Sequence, residues 1–248
     1  MNTLKRTARA LAALLALAAA PAQAADSAGV LIIGDSNAEG PFGGALYNAL
    51  RATPDPITHA PLKVSIFAKC GAGANDWTSR EYARIDCGAW ACSDGQAISS
   101  CRHFKGGSIP ALPALYADLG AARRVTIAAL GLNMIIGRRA EKLRDAERLI
   151  AAIRDNGSAC IWIGPPEPGD LFVSPARYED FIADLRLTVT RAGCRYVASD
   201  DKTDRRNVSR RDDHYSQGDA IAWARKVLAE LHHPANPADR SLLALLAK

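Results

Sequence analysis

Five short apolar runs, each punctuated by glycine, proline or cysteine-glycine, restrict what this chain can fold into. Val30-Leu31-Ile32-Ile33 stops at Gly34. Leu62 to Ala68 stops before Cys70-Gly71, Arg124 to Leu130 at Gly131, Cys160 to Gly164 at Pro165-Pro166, and Cys194 to Ala198 closes the series. Runs of this length and composition read as strands, and the first, apolar throughout, as one buried on both faces of a parallel sheet. The stretches between them have helical character. Phe42, Leu46 and Leu50 recur at helical spacing behind Pro41, which a first turn tolerates. Pro110 to Leu119 reads as a helix, and Arg138 to Asp155 sets Leu143, Ala146, Leu149, Ile150 and Ile153 on one side before Asn156-Gly157. Pro175 to Ala192 follows Ser174 as a cap, and a last helix runs from Ser216 or Gln217 to Leu231. Strands alternating with helices predict a three-layer α/β/α sandwich around a doubly wound, five-stranded parallel sheet of flavodoxin-like order. No internal repeat or second domain is visible. Two segments stand apart: the cysteine-rich stretch 72–109, expected to be irregular, and the tail 234–248 with its short apolar piece Leu242 to Leu246.

The chain opens with Lys5, Arg6 and Arg9, an apolar run from Leu11 to Ala20, and Ala22-Gln23-Ala24. A charged start, an apolar core and an A-x-A site make a secretory signal peptide. The run is too short for a membrane span, which needs roughly 20 residues. Export with cleavage near Ala24 is therefore expected, leaving 25–248 as a single domain, periplasmic or secreted. Three of the 31 basic residues belong to the leader, so 28 remain against 26 acids. That balance calls for no nucleic-acid partner. The basic cluster Lys202, Arg205, Arg206, Arg210 and Arg211 reads either as a solvated loop or as an attractive rim for an anionic polymer. All six cysteines, Cys70, Cys87, Cys92, Cys101, Cys160 and Cys194, lie beyond the leader, and in an oxidising compartment disulfides are the default. Cys160 and Cys194 each begin a strand and could face each other. Cys87, Cys92 and Cys101 would pair among themselves and with Cys70. A zinc site is disfavoured, because no C-x-x-C pair occurs and His103 would be its only imidazole.

The ends of the strands hold the chemistry. In open α/β sheets ligands bind at the carboxyl edge. Ser36 follows the first strand there, Gly71 the second and Asn133 the third, while Asp212 and His214 precede the last helix. A serine needs a base to become a nucleophile, the base needs a carboxylate to fix its tautomer, and the developing oxyanion needs donors already in place. Asp35 reads as a cap of the turn. Asp76 reads as a turn residue, and Trp77 and Trp90 either plug the long loop or stack on a sugar.

In these blocks the chain resembles the SGNH (GDSL) hydrolases. Gly34-Asp35-Ser36-Asn37 is similar to the first block with asparagine in place of leucine, Cys70-Gly71 to the second, Gly131-Leu132-Asn133 to the third with Met134 in place of the final acid, and Asp212-Asp213-His214 to the last. The resemblance implies Ser36 as nucleophile, His214 as base, an oxyanion hole from Asn133 and the Ser36 and Gly71 amides, and no metal or organic cofactor. In the last block the family's acid position holds Arg211. An extended backbone turns residues two apart to the same side, so Asp212 is expected to orient His214 and Asp213 to point away. The implied activity is a serine esterase cleaving small acyl esters, acetyl groups on cell-wall or extracellular glycans among them. A lipid-type esterase or lysophospholipase, acyl transfer to a sugar, and a non-catalytic glycan-binding domain on the same fold are the alternatives. Partners are then an acyl-ester substrate, with no stable membrane insertion; the sequence does not set the oligomeric state.

Overall fold

The first apolar run forms β1, Ala28–Gly34, and every residue of it is buried. Successive side chains of a strand face opposite ways. Leu31 and Ile33 accordingly enter one core, and Val30 and Ile32 the other. The computed structural model describes residues 27–208 and 213–248. The expected leader, 1–24, and the residues Arg210, Arg211 and Asp212 lie outside the described residues.

Six more strands join β1: β2 (Lys63–Lys69), β3 (Ala89–Cys92), β4 (Arg102–Phe104), β5 (Arg123–Ala129), β6 (Ala159–Ile163) and β7 (Arg195–Val197). Their order is β4-β3-β2-β1-β5-β6-β7. β2, β1, β5, β6 and β7 are parallel and are the five runs read from the sequence, in the flavodoxin-like order. β1 is central, with Val30 between Val64 and Val125. Helices α1 (Ser36–Glu39), α2 (Pro41–Arg51), α3 (Leu112–Leu119), α4 (Arg139–Asp155), α5 (Pro175–Arg191), α6 (Gln217–His232) and α7 (Leu242–Leu246) alternate with the strands. Apolar residues of α3, α4 and α5 fill the core on one face, and those of α2, α6 and α7 the core on the other. The fold is an α/β/α sandwich. The tail is part of it, since Leu242 and Leu246 are fully buried. Among the described residues no helix is long and apolar enough to cross a membrane.

The cysteine-rich stretch differs from the expectation. It is not wholly irregular: β3 pairs antiparallel with β2, and β4 with β3, extending the sheet by two strands. Strands of four and three residues carry little propensity signal, and a hairpin that small is marginal alone. Here it is held by an existing sheet edge and by cross-links. Cys70–Cys87 ties the end of β2 to the approach to β3, and Cys92–Cys101 joins β3 to β4 across a separation of nine residues. Closing a loop removes freedom from the unfolded chain, typically about 2–4 kcal/mol per bridge. Cys160–Cys194 links the amino ends of β6 and β7, with Cα atoms 4.8 Å apart. The pairings follow the local groupings read from the sequence, and no cysteine is free among the described residues.

Candidate active site

Gly34 ends β1 because α1 folds back on it: a Cβ there would lie 2.3 Å from the Ala38 Cβ. Asp35 follows as the cap. Its Oδ1 accepts the Asn37 N–H at 3.0 Å, and its own N–H donates to the Ala129 carbonyl of β5 at 3.3 Å. The turn is thereby fastened both to its helix and to the neighbouring strand, and Ser36 occupies the first helical position, partly exposed at the carboxyl edge.

The loop after β2 is built with similar care. Gly71 has φ +69°, a conformation that side-chain-bearing residues rarely adopt. Lys69 and Asp76 form an ion pair buried under the loop, and the second oxygen of Asp76 accepts the Gly73 N–H at 2.8 Å. Asp76 is thus a turn residue, as its sequence context suggested. Trp77 and Trp90 are both buried and plug the loop. Asn133, in a single 3-10 turn after β5, donates its side-chain amide to the Ala72 carbonyl at 3.3 Å. That bond draws the third loop against the residue following Gly71. A primary amide has two N–H donors, so one remains for another acceptor.

At the fourth loop the nearest described acid is the one expected to turn aside. Asp213 Oδ1 lies 2.7 Å from His214 Nδ1. Alternation of side chains presupposes a strand, whereas residues 213–216 are irregular. Nδ1 is the ring nitrogen closest to the backbone, and a carboxylate one residue earlier reaches it directly. Asp212, expected to orient the ring, lies outside the described residues. His214 and Asp213 both act electrostatically on Asp35, and His214 acts on Glu39 as well. The imidazole is therefore within electrostatic reach of residues on either side of Ser36.

Burial pushes the Asp35 carboxyl up to about 7; the Asn37 N–H opposes this, Asp213 adds repulsion and His214 offsets it. In the unfolded chain the group titrates near 3.8. Between those values the folded state holds a proton that the unfolded state has lost, so stability falls as pH rises through this window. Asp35→Asn keeps a side-chain oxygen for the Asn37 N–H and removes the buried charge. Its urea unfolding free energy should exceed that of the parent by roughly 4 kcal/mol at pH 8.5 and approach it below pH 4. An equal difference at both pH values would contradict this account.

The described members of the basic cluster are neutralised. Lys202 pairs with Asp201 at 2.8 Å, Arg205 with Glu167 at 3.1 Å and Arg206 with Asp204. It supports the solvated-loop reading over the anionic rim. Sequence reasoning missed Glu39 and His103, both beside His214's edge of the sheet. The signal for Glu39 was its place three residues after Ser36, one helical turn on.

No protein-family model and no curated protein matches the sequence. Among solved structures the chain is similar to Est24, a carbohydrate acetylesterase from Sinorhizobium meliloti, at 12% identity and a TM-score of 0.51, over 81% of this chain and 96% of that one. A GDSL-like lipase from Bacteroides thetaiotaomicron VPI-5482 aligns at 12% identity and a TM-score of 0.45, over 90% of this chain and 95% of that one. The chain shares its fold with Est24.

Proposed function

We propose that this chain is an exported serine esterase acting on small acyl esters, acetyl groups on glycans foremost. One observation carries the reading: the Asp213–His214 pair, bonded through Nδ1 at 2.7 Å, stands within electrostatic reach of residues 35 and 39, which bracket Ser36. A carboxylate on Nδ1 leaves Nε2 to accept a proton. In this scheme Ser36 Oγ attacks the ester carbonyl and gives its proton to His214. The tetrahedral oxyanion is met by the second Asn133 N–H and the backbone amides of Ser36 and Gly71. Collapse breaks the ester C–O bond, and His214 returns the proton to the departing alcohol. Water then attacks the acyl-serine, with His214 taking and returning a proton again, to release the acid and free Ser36. Asp213 orients the imidazole, the role the sequence had assigned to Asp212.

Three disulfides with no free cysteine among the described residues support export, together with the leader-like residues 1–24. Est24, whose fold is shared, is a carbohydrate acetylesterase, which favours acetylated sugars as the first substrates to try. The test is covalent labelling. Mature protein treated with a fluorophosphonate and digested should carry the adduct on the peptide containing Ser36, with p-nitrophenyl acetate turnover lost in step. An unlabelled Ser36 with turnover intact would reject the proposal.

A further inference from the structure

We propose that Glu39 and His103 form a hydroxyl-binding subsite beside Ser36 that selects esters of polyhydroxylated alcohols, sugars above all. The inference deepens the esterase reading and rests on it for its kinetic arm.

Glu39 lies one helical turn after Ser36, on the same face of α1. Its carboxylate lies against Gly88, at the start of the disulfide-bound hairpin: a Cβ on Gly88 would be 3.1 Å from Oε1. A side chain at this position would crowd the carboxylate. The carboxylate is about half-buried, and no described hydrogen bond or ion pair ends on it. Its surroundings are basic: His103, His214 and Lys105 all lower its pKa, while burial raises it. Polar groups removed from water are almost always hydrogen-bonded, so a partly desolvated carboxylate without donors is poised for donors that arrive with a ligand.

His103 supplies the second element. It sits on β4, exposed, and stacks on Trp90 with ring centroids 6.1 Å apart and planes 22° from parallel. Trp90 is itself buried, so the flat surface presented to a ligand is the imidazole. A carboxylate that accepts from hydroxyls, with an imidazole that can donate or accept within its electrostatic reach, matches a vicinal diol. An acyl chain offers neither partner. Because His214 must return a proton to the alcohol oxygen, the alcohol side of the ester is the side that meets Glu39 and His103.

The experiment compares two acetates of similar size: methyl 6-O-acetyl-glucopyranoside, with three free hydroxyls, and cyclohexylmethyl acetate, with none. The parent protein should favour the sugar ester in kcat/KM by about tenfold or more, the scale of a hydrogen bond to a charged acceptor. Glu39→Gln and His103→Ala should each reduce that ratio at least fivefold, chiefly through KM for the sugar ester. The ratio is the readout, because Glu39 also neighbours His214 and both rates can move together. An unchanged ratio in both variants, or a parent with no preference, overturns the subsite. A second measurement is independent of turnover: methyl glucoside at tens of millimolar should shift the His103 imidazole resonances of the parent and not those of Glu39→Gln. Absence of that shift overturns the subsite. Turnover of neither ester by a folded parent, with the shift present, would instead sink the esterase reading and leave the subsite standing.

Discussion

His214→Ala is expected to lower p-nitrophenyl acetate turnover by roughly three to six orders of magnitude, and Ser36→Ala by the same order. The double variant should be no worse than the poorer single one. The reason is that a nucleophile and its base act as one unit. Without the base, Oγ remains a neutral hydroxyl; without Oγ, the base has nothing to activate. What survives in all three variants is the contribution of the preset oxyanion donors and binding, so the residual rates should converge. Additive losses would mean that Ser36 and His214 act on separate steps, and the proposed mechanism would fail. The acid is judged on the same scale. Asp213→Asn removes the charge facing Nδ1 at 2.7 Å and allows the ring to take the wrong tautomer, at a cost of about 10²–10⁴ in kcat. Asp212→Asn should cost less. The reverse ranking would return the orienting role to Asp212.

That contrast marks where the sequence was legible and where it was not. The strand runs gave the sheet order because a parallel strand buried on both faces has few compatible sequences, and Val30 to Ile33 is one of them. The placement of Ser36, Gly71 and Asn133 at one edge followed from counting strand ends. Asp213 was misjudged because the reading imposed strand geometry on residues that are irregular. The hairpin β3–β4 was illegible for a different reason: three and four residues say little by themselves, and the bonds that secure them join distant cysteines. Lys69 illustrates the same limit. A lysine closing an apolar run looks like a solvent-facing end, and only the approach of Asp76 from the next turn makes its burial tolerable. Glu39 and His103 lie 64 residues apart, and nothing local announces that a hairpin brings them to one carboxylate's surroundings.

The largest stability effect is expected at the opposite edge of the sheet, at Asp55. Asp55 is 2% exposed, in the loop leading to β2. One oxygen accepts the Ala28 N–H at the start of β1 at 3.0 Å, the other the Ile57 N–H at 2.9 Å, and Arg123 at the start of β5 donates to both at 2.8 and 2.9 Å. One carboxylate therefore joins the first residues of two central strands to a connecting loop. Burial alone would raise its pKa, but the Ile57 amide, the Arg123 guanidinium and the Ala28 amide hold the carboxyl well below the usual carboxylate range. Asp55→Ala removes the carboxylate to which Arg123 donates at 14% side-chain exposure, and leaves the Ala28 amide at a strand start and the Ile57 amide in the loop without this acceptor. The expected loss is about 3–5 kcal/mol in urea unfolding at pH 7. Asp55→Asn should lose less, because its amide oxygen still serves one amide. In Asp55→Leu with Arg123→Met the buried charge disappears from both sides, and part of the loss should return. The pH dependence identifies the cause. A depressed carboxyl contributes its full stabilisation above the unfolded value near 3.8 and loses it as pH falls below that, toward the folded value. The gap between parent and Asp55→Ala should therefore be widest near neutrality and narrow steadily below pH 4. A gap that stays constant to pH 2 would assign the loss to a packing defect instead. Because Asp55 stands at the amino ends of the strands, folded Asp55→Ala should keep the parent's kcat, which separates this scaffold contact from the chemistry at the other edge.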